Sequence, residues 1–379
     1  MRTKLFILSS LISFTFLAQA QEISNGVMKL DELRKPAYRE IINIPEVNGY
    51  QVLKCDFHTH TVFSDGLVWP NIRAQEAWEE GLDAMALTEH IEYHPHKDYV
   101  EVNHNRSHEL IENLSKRNNV LLIKGTEITR QTPPGHFNAI FIGDASSYIE
   151  DNVSEKDWKA VMKAADQNAF IFWNHPGWKP NIEGSYEWLP FLEDLRKKNA
   201  LHGIEVINGF GFHMKALDWC VDKGLTVMGT SDIHNLVGHD YDRSRKYVHR
   251  TMTLVMAKER TPESIREALD AGRTVAWASK YLAGKEENVK NLFNACVKLM
   301  PSHYSQEKNG VRTNFYEIQN KSDLYFELEL TSGKGTQKIT LYPMSSQLLS
   351  AEAGQQSLSY DVTNAYVRSD KFLNISFSL

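Results

Sequence analysis

The sequence predicts an α/β fold, a closed barrel of strands and helices, followed by a small all-β, sandwich-like C-terminal domain. Three observations predict it. Short β-type runs alternate with helical patterns over about residues 51–283. Residues of the metal-binding type stand where these runs end, as they do at the C-terminal rim of a barrel. Beyond about residue 305, strand-like runs follow one another without helices. An open doubly wound sheet is the alternative, but it gathers ligands at one switch point rather than from many strands.

The β-type runs are residues 52–57, 84–87, 120–123, 137–142, 169–173, 203–207, 226–229, 251–256 and 274–277. A helix is predicted over 70–81, with Pro70 near its first turn and Gly81 just past its end. A second covers 154–168, where Ser154 and Asp157 form a weaker relative of the capping box. A third opens at Thr261 as N-cap with Pro262 behind it, and closes at Ala271-Gly272. Residues 286–300 read as one helix, within a linker at 284–304. The C-terminal strands are expected at 315–318, 325–330, 337–342, 356–362 and 372–379, so the β domain is placed at 305–379.

The first 20 residues read as a secretory leader. Arg2 and Lys4 form a basic start, residues 5–17 are apolar, and Ala18-Gln19-Ala20 fits a cleavage site. The mature chain then begins near Gln21 with a polar lead-in over 21–50, and an exported, periplasmic or secreted protein is expected. No later stretch is long and apolar enough to cross a bilayer. Loss of Arg2 and Lys4 leaves 40 of the 42 basic side chains against 48 acidic ones, a balance of −8 that disfavours nucleic acid as a partner. Arg243, Arg245, Lys246, His249 and Arg250 form a local basic strip that reads as a solvated loop. Three cysteines, Cys55, Cys220 and Cys296, make no disulfide framework.

The chemistry lies in the run ends. Asp56-Phe57-His58-Thr59-His60-Thr61 comes first, and on extended chain residues two apart face the same way, so His58 and His60 can reach one metal. Asp65 follows in Ser64-Asp65-Gly66, where turn chemistry competes with metal binding. His90 stands in Leu87-Thr88-Glu89-His90 and Glu127 in Gly125-Thr126-Glu127. A glutamate can bridge two cations at the roughly 3.5–4 Å spacing of two-metal hydrolysis. His136, His175 in Asn174-His175-Pro176, and Asp232 with His234 in Ser231-Asp232-Ile233-His234 complete nine ligand-type residues. Nitrogen and oxygen donors without thiolates suit two or three divalent ions of Mn, Zn or Fe. Glu127, Asp232 and His175 are also the residues expected at the catalytic centre, with Asp56 and Glu89 behind the ligands.

Other residues are weighed against blander roles. His213 is a candidate substrate contact near a strand end. Arg130 is a candidate for holding a phosphate oxygen, with a structural ion pair as the competing role. His94, His96, His104 and His108 lie in a polar segment and read as a solvated face. Trp69, Trp78, Trp158, Trp188 and Trp219 read as core packing.

Four signatures together resemble the polymerase and histidinol phosphatase (PHP) family of metal-dependent phosphoesterases: Asp56-Phe57-His58-Thr59-His60-Thr61 with Ser64-Asp65-Gly66, Leu87-Thr88-Glu89-His90, Gly125-Thr126-Glu127 with His136, and Asn174-His175-Pro176 with Ser231-Asp232-Ile233-His234. The resemblance covers about residues 50–280 and implies a distorted (β/α)7 barrel with up to three metals. It implies one cation on His58, His60, Glu127 and Asp232, a second on Glu127, His136 and His175, and a third on Asp65, His90 and His234. Many members carry His where Asp65 stands. Leader, barrel and β domain together resemble exported, phosphodiesterase-like members of the family.

The expected reaction is hydrolysis of a small phosphoester by a metal-bridging hydroxide. Arg130, Lys179, Arg243 and Arg245 form no cluster in sequence, and a monoester's terminal oxygens need one, so diesters are slightly favoured. Two other classes stay open: an amidohydrolase-like C–N or C–O hydrolase with Lys124 at the metals, and a non-catalytic metal-loaded binding protein.

Overall fold

A computed structural model describes residues 23–24, 26–148, 159–245 and 247–379. The leader, the expected helix start at Ser154 and Asp157, Trp158 and Lys246 lie outside the described residues. The chain divides into two units, Met1–Tyr38 and Arg39–Leu379. In the first, Ile23–Ser24 pairs antiparallel with Val27–Met28, and a single 3-10 turn covers Asp31–Leu33.

In the second unit the barrel strands run, in spatial order, Thr226–Thr230, Gly203–Asn208, Phe170–Trp173, Phe137–Ile140, Leu121–Ile128, Ala84–Leu87, Gln51–Asp56, Met252–Ala257, Thr274–Ala278 and Tyr281–Gly284. Gln51–Asp56, Ala84–Leu87 and Leu121–Ile128 are parallel neighbours, as are Phe170–Trp173, Gly203–Asn208 and Thr226–Thr230. Phe137–Ile140 runs antiparallel to both its neighbours and distorts the barrel. That reversal brings its N-terminal end, and with it His136, to the rim where the parallel strands end.

The barrel closes through side chains. The Thr253 hydroxyl lies 3.0 Å from the Gly229 amide and donates to the Gly229 carbonyl at 2.7 Å, and Thr274 donates to the Val227 carbonyl at 2.7 Å. Only a glycine fits at 229, because a Cβ there would stand 2.6 Å from the Met252 carbonyl oxygen and 2.8 Å from the Ala276 Cβ. The strands are buried on both faces, as their continuous apolar runs require.

Helices Pro70–Glu79, Arg106–Arg117, Lys159–Asp166, Pro190–Lys197, Met214–Lys223 and Pro262–Asp270 alternate with the strands. Thr261 caps the last, its side chain accepting from the Ser264 amide. The polar segment before residue 110 is largely exposed, as expected, with Tyr99 almost wholly in solvent, but its histidines turn partly inward. His104 is buried with its ring 5.1 Å from that of His94, whose nitrogens lie 3.0 Å and 2.8 Å from the Phe63 and Ile91 carbonyls. Trp69 departs from core packing in the other direction, being 54% exposed just ahead of its helix.

The linker helix ends earlier than expected, at Glu286–Cys296, and Val297–Leu299 already pairs antiparallel with Val311–Asn320. Tyr304–Lys308 and Ser346–Glu352 join that sheet. The facing sheet holds Lys338–Leu341, Phe326–Ser332, Ser357–Arg368 and Lys371–Ser378. The β region is therefore a sandwich that begins at Val297 rather than at 305. Its long strand Ser357–Arg368 also pairs, in parallel, with the barrel strand Tyr281–Gly284. Asn364 pins this junction: its amide nitrogen donates to the Lys280 and Tyr325 carbonyls and its oxygen accepts from the Glu327 amide at 2.9 Å.

Candidate metal centre

The site forms because chain segments beyond the strand ends pair with one another. Gln51–Asp56 stops before the first two histidines, so His58 and His60 do not sit on the strand itself. The segment stays extended all the same, held by the Asp232 amide donating to the His58 carbonyl at 2.9 Å and the His60 amide donating to the Ile233 carbonyl at 3.1 Å. Alternation survives, and both imidazoles face inward. Glu127 lies inside Leu121–Ile128 rather than past its end. Asp65 is both turn residue and site residue: a Cβ on Gly66 would stand 2.6 Å from the backbone of His60 and Thr61, and that tight turn aims Asp65 at His234 (3.1 Å) and His90 (3.5 Å).

At the centre, His58 Nε2 and His60 Nε2 lie 3.0 Å apart. Glu127 Oε2 is 3.1 Å from each, and Asp232 Oδ1 is 3.1 Å and 3.2 Å from them. Four donor atoms at such mutual distances match the edges of a coordination polyhedron with bonds of about 2.0–2.2 Å. The other Glu127 oxygen, Oε1, faces His136 Nδ1 at 2.8 Å and His175 Nε2 at 3.6 Å. His90 stands between groups, 3.3 Å from Glu127 Oε2 by Nδ1. Three sets of donor atoms, each within 4.8 Å of one another, could hold cations: His58, His60 and Asp232; His90, Glu127 and His136; and His60, Asp65, His90 and His234. The nine ligand-type residues thus meet at one site, seven of them lining its cavity and His58 and His60 buried beneath it. His60 and His90 are drawn into more groups than the resemblance implies, and His175 stands further out, 3.9 Å from Asp232.

The electrostatics fit cations. Asp65, Glu127 and Asp232 line a cavity of about 470 Å³ together with imidazoles, and no Lys or Arg is among its described lining residues. Burial alone would raise the Glu127 and Asp232 carboxyls, yet the surrounding histidines hold both well below the usual range. Burial would lower His58 and His60, but the carboxylates outweigh it, keeping His58 well up and His60 at about 10. The pocket is built for ionised carboxylates with positive charge among them, and its nitrogen and oxygen donors match divalent ions. His175 and Asp232 adopt left-handed backbone (φ 27° and 50°), a strain that concentrates at functional sites.

Buried partners fix the ligands. Asp56 accepts from the Ser231 amide (3.1 Å) and hydroxyl (2.5 Å) and pairs with Arg250 (3.1 Å). Glu89 accepts from Thr61 and from Ser64, whose hydroxyl lies 3.1 Å from His60 Nδ1. Sequence reasoning missed Glu205, Asn174 and Asn208. Glu205 accepts from His58 Nδ1, the His175 amide and the Thr230 hydroxyl, and Asn174 donates to Glu127 Oε1 at 3.0 Å. A carboxylate inside the apolar run Gly203–Asn208 was the available signal.

The remaining candidates separate. His213 lines the cavity, with burial pushing it down to about 4 and its ring held by the Pro176 backbone. Arg130 is engaged by Glu92 and donates to the Thr129 carbonyl at 2.7 Å. It lines a neighbouring cavity with Lys179 and His136, so the ion-pair role describes it better than a contact at the metals. Arg243 pairs with Glu40 and Glu80, and Arg250 is wholly buried between Asp56 and Glu80, which breaks up the basic strip. The Lys124 ammonium donates to the Gly143 carbonyl at 2.8 Å.

A family model described as an Ig-like domain matches residues 297–378. A solved two-domain protein from Bacteroides vulgatus, containing a predicted PHP-like metal-dependent phosphoesterase, is 42% identical, covers 91% of this chain and 100% of its own, and superposes with a TM-score of 0.83. A proposed metal-dependent phosphoesterase from Bifidobacterium adolescentis is 16% identical, with 57% and 96% covered and a TM-score of 0.38. An amidohydrolase from Chromobacterium violaceum, with bound sulfate and no metal, is 16% identical, with 49% and 89% covered and a TM-score of 0.35. The last two are too distant to bear on this chain. No curated protein matches it significantly.

Proposed function

Since the chain belongs to the family of PHP-like metal-dependent phosphoesterases, we propose that it hydrolyses small phosphate esters at the pocket described above, with diesters preferred to monoesters. The observation that carries this reading is the division of Glu127, one oxygen turned to His58 and His60 and the other to His136 and His175. In this reading His58, His60, Glu127 and Asp232 hold one ion, Glu127, His136 and His175 a second, and Asp65, His90 and His234 a third, with Mn, Zn or Fe as the metals. Divalent cations held by these residues would supply a hydroxide nucleophile at neutral pH, since such ions lower the pKa of water to about 7, and would neutralise phosphoryl oxygens.

The chain's own residues do the rest. Glu127 and Asp232 stay ionised, so neither competes for a proton as the ester is attacked. His213 stays neutral at pH 7, and because it donates one N–H to the Pro176 carbonyl, its other nitrogen is a hydrogen-bond acceptor for water or an alcohol. Lys179, Arg130, Arg243 and Arg245 stand outside the lining of the metal pocket, which supports diesters, whose single negative charge needs fewer cationic partners. The commitment of Lys124 to Gly143 weighs against the amidohydrolase alternative. The leader-like residues 1–20 support an exported enzyme, and no helix among the described residues is long and apolar enough to cross a membrane.

The test is turnover of bis(4-nitrophenyl) phosphate by metal-stripped protein before and after addition of Mn or Zn. Restored turnover that Glu127→Ala abolishes is the expected result. Absence of turnover across a broad phosphoester panel at full metal load would overturn the reading in favour of a binding protein.

A further inference from the structure

We infer that the cavity beside the metal pocket is a second subsite of the same active site, taking a sugar ring carried as one alcohol group of a phosphodiester; this deepens the phosphoesterase reading and rests on it. The two cavities share a wall. The hairpin Gly203–Asn208 with Gly211–Phe212 puts Asn208, Gly211 and His213 into the metal pocket and Ile207, Gly209 and Phe212 into its neighbour. Phe210, at the hairpin tip and 77% exposed, lines both. The second flank is also continuous: the loop bearing Asp232 and His234 runs on into Asp240, Tyr241 and Asp242 of the second cavity. A molecule with its phosphoryl group among the histidines can therefore extend past Phe210 into an adjoining space of about 530 Å³.

That space has a fixed floor and a definite chemistry. Thr251 donates to the Gly209 carbonyl at 2.7 Å, and the His249 ring is held between the Arg250 and Ser279 carbonyls. Aromatic faces stand around it: Tyr366 from the sandwich lies 5.0 Å from Phe212 and 6.5 Å from Tyr281, which is 40% exposed. Aromatic faces are electron-rich and attract the polarised C–H bonds of a sugar ring. Asp240 Oδ1 accepts from the Asn235 side chain and Asp242 Oδ1 from Ser244, which fixes both carboxylates and leaves their second oxygens to hydroxyl donors, beside the Arg245 guanidinium among the described lining residues. Few polar groups set among aromatic walls are what orient a small ligand. The sandwich domain thereby gains a part in substrate choice, through Tyr366.

The test compares two diesters that both release 4-nitrophenol: methyl 4-nitrophenyl phosphate, and the 4-nitrophenyl phosphodiester at O6 of methyl glucoside. The sugar diester is expected to show a kcat/KM about tenfold higher, chiefly through KM. Tyr281→Ala and Asp242→Asn should each erase most of that ratio. Equal kcat/KM for the two diesters, or variants that lower both alike, would overturn the subsite. Failure to hydrolyse either diester at full metal load counts against the phosphoesterase reading instead. The subsite is then judged by calorimetry with unreactive methyl glucoside 6-(methyl phosphate): binding weakened about tenfold in Tyr281→Ala sustains it, and no binding, or equal binding by the variant, overturns it.

Discussion

Glu205 Oε1 lies 2.7 Å from His58 Nδ1 in the fully buried floor of the metal centre. That contact holds His58 Nδ1 as a donor and turns Nε2 toward Glu127 and Asp232. The same carboxylate accepts from the His175 amide at 2.7 Å, so a single residue sets two of the ligand-type histidines. Glu205→Ala should weaken metal binding by about 10–100-fold. Metal titration by calorimetry checks it, and wild-type affinity in the variant would remove Glu205 from the account.

Arg250 carries the second buried network. It is wholly enclosed and joins Asp56 at 3.1 Å to Glu80 at 2.5 Å. Burial already pushes the Asp56 carboxyl up, and Arg250 is the main influence holding it down. Arg250→Met would leave the enclosed Asp56 without its cation and Glu80 with Arg243 alone, at a cost of about 3–5 kcal/mol. Urea denaturation reads this directly; a loss below about 1 kcal/mol, the scale of an exposed pair, would show that the network relaxes.

Acid sensitivity should trace to His104 and His108. Burial, more than the neighbouring His94 and Lys124, pushes both rings from 6.5 down to about 4. The unfolded chain takes up these protons near pH 6.5 and the folded chain only near pH 4. Their contribution to stability is therefore complete above about pH 6.5 and is lost as pH falls toward about 4. In the double variant His104→Gln, His108→Gln, the stability difference between pH 7 and pH 4.5 should shrink, as followed by denaturant midpoints. An unchanged difference would assign the acid sensitivity elsewhere.

Gly229→Ala should strain the barrel seam. The added methyl would meet the Met252 carbonyl at 2.6 Å, and that atom belongs to backbone that cannot swing aside. A cost of about 1–3 kcal/mol is expected, visible as a lowered thermal midpoint. The Ala variant of Gly238, where a Cβ meets nothing within 4 Å, serves as the control.

How much of this was legible beforehand varies with the physics. The alternation of apolar runs and helical patterns exposed the barrel, because strands buried on both faces must be apolar throughout. Residues whose polarity conflicts with their apolar surroundings, such as His58, Glu127 and Asp232, also stood out. Positions that depend on distant partners did not. His104 looked solvated because its neighbours in sequence are polar, yet it is buried, with the His94 ring packed against it. Arg130 could not be assigned without Glu92, which lies 38 residues away along the chain. Glu205 passed unnoticed because it has no companion of its own type nearby. Strands Tyr304–Lys308 and Ser346–Glu352 hid because edge positions in a sandwich tolerate polar residues on their open face.

The pairing of Tyr281–Gly284 with Ser357–Arg368 has a further consequence. A shortened protein ending at Cys296 would bare one margin of the barrel, leaving amides and carbonyls without a strand partner together with the apolar side chains that Phe326 and Leu358 now shield. Such a margin recruits strands from neighbouring molecules. The C-terminal domain is thus a built-in guard against self-association, and efforts to produce the barrel alone should meet precipitation before they meet inactivity.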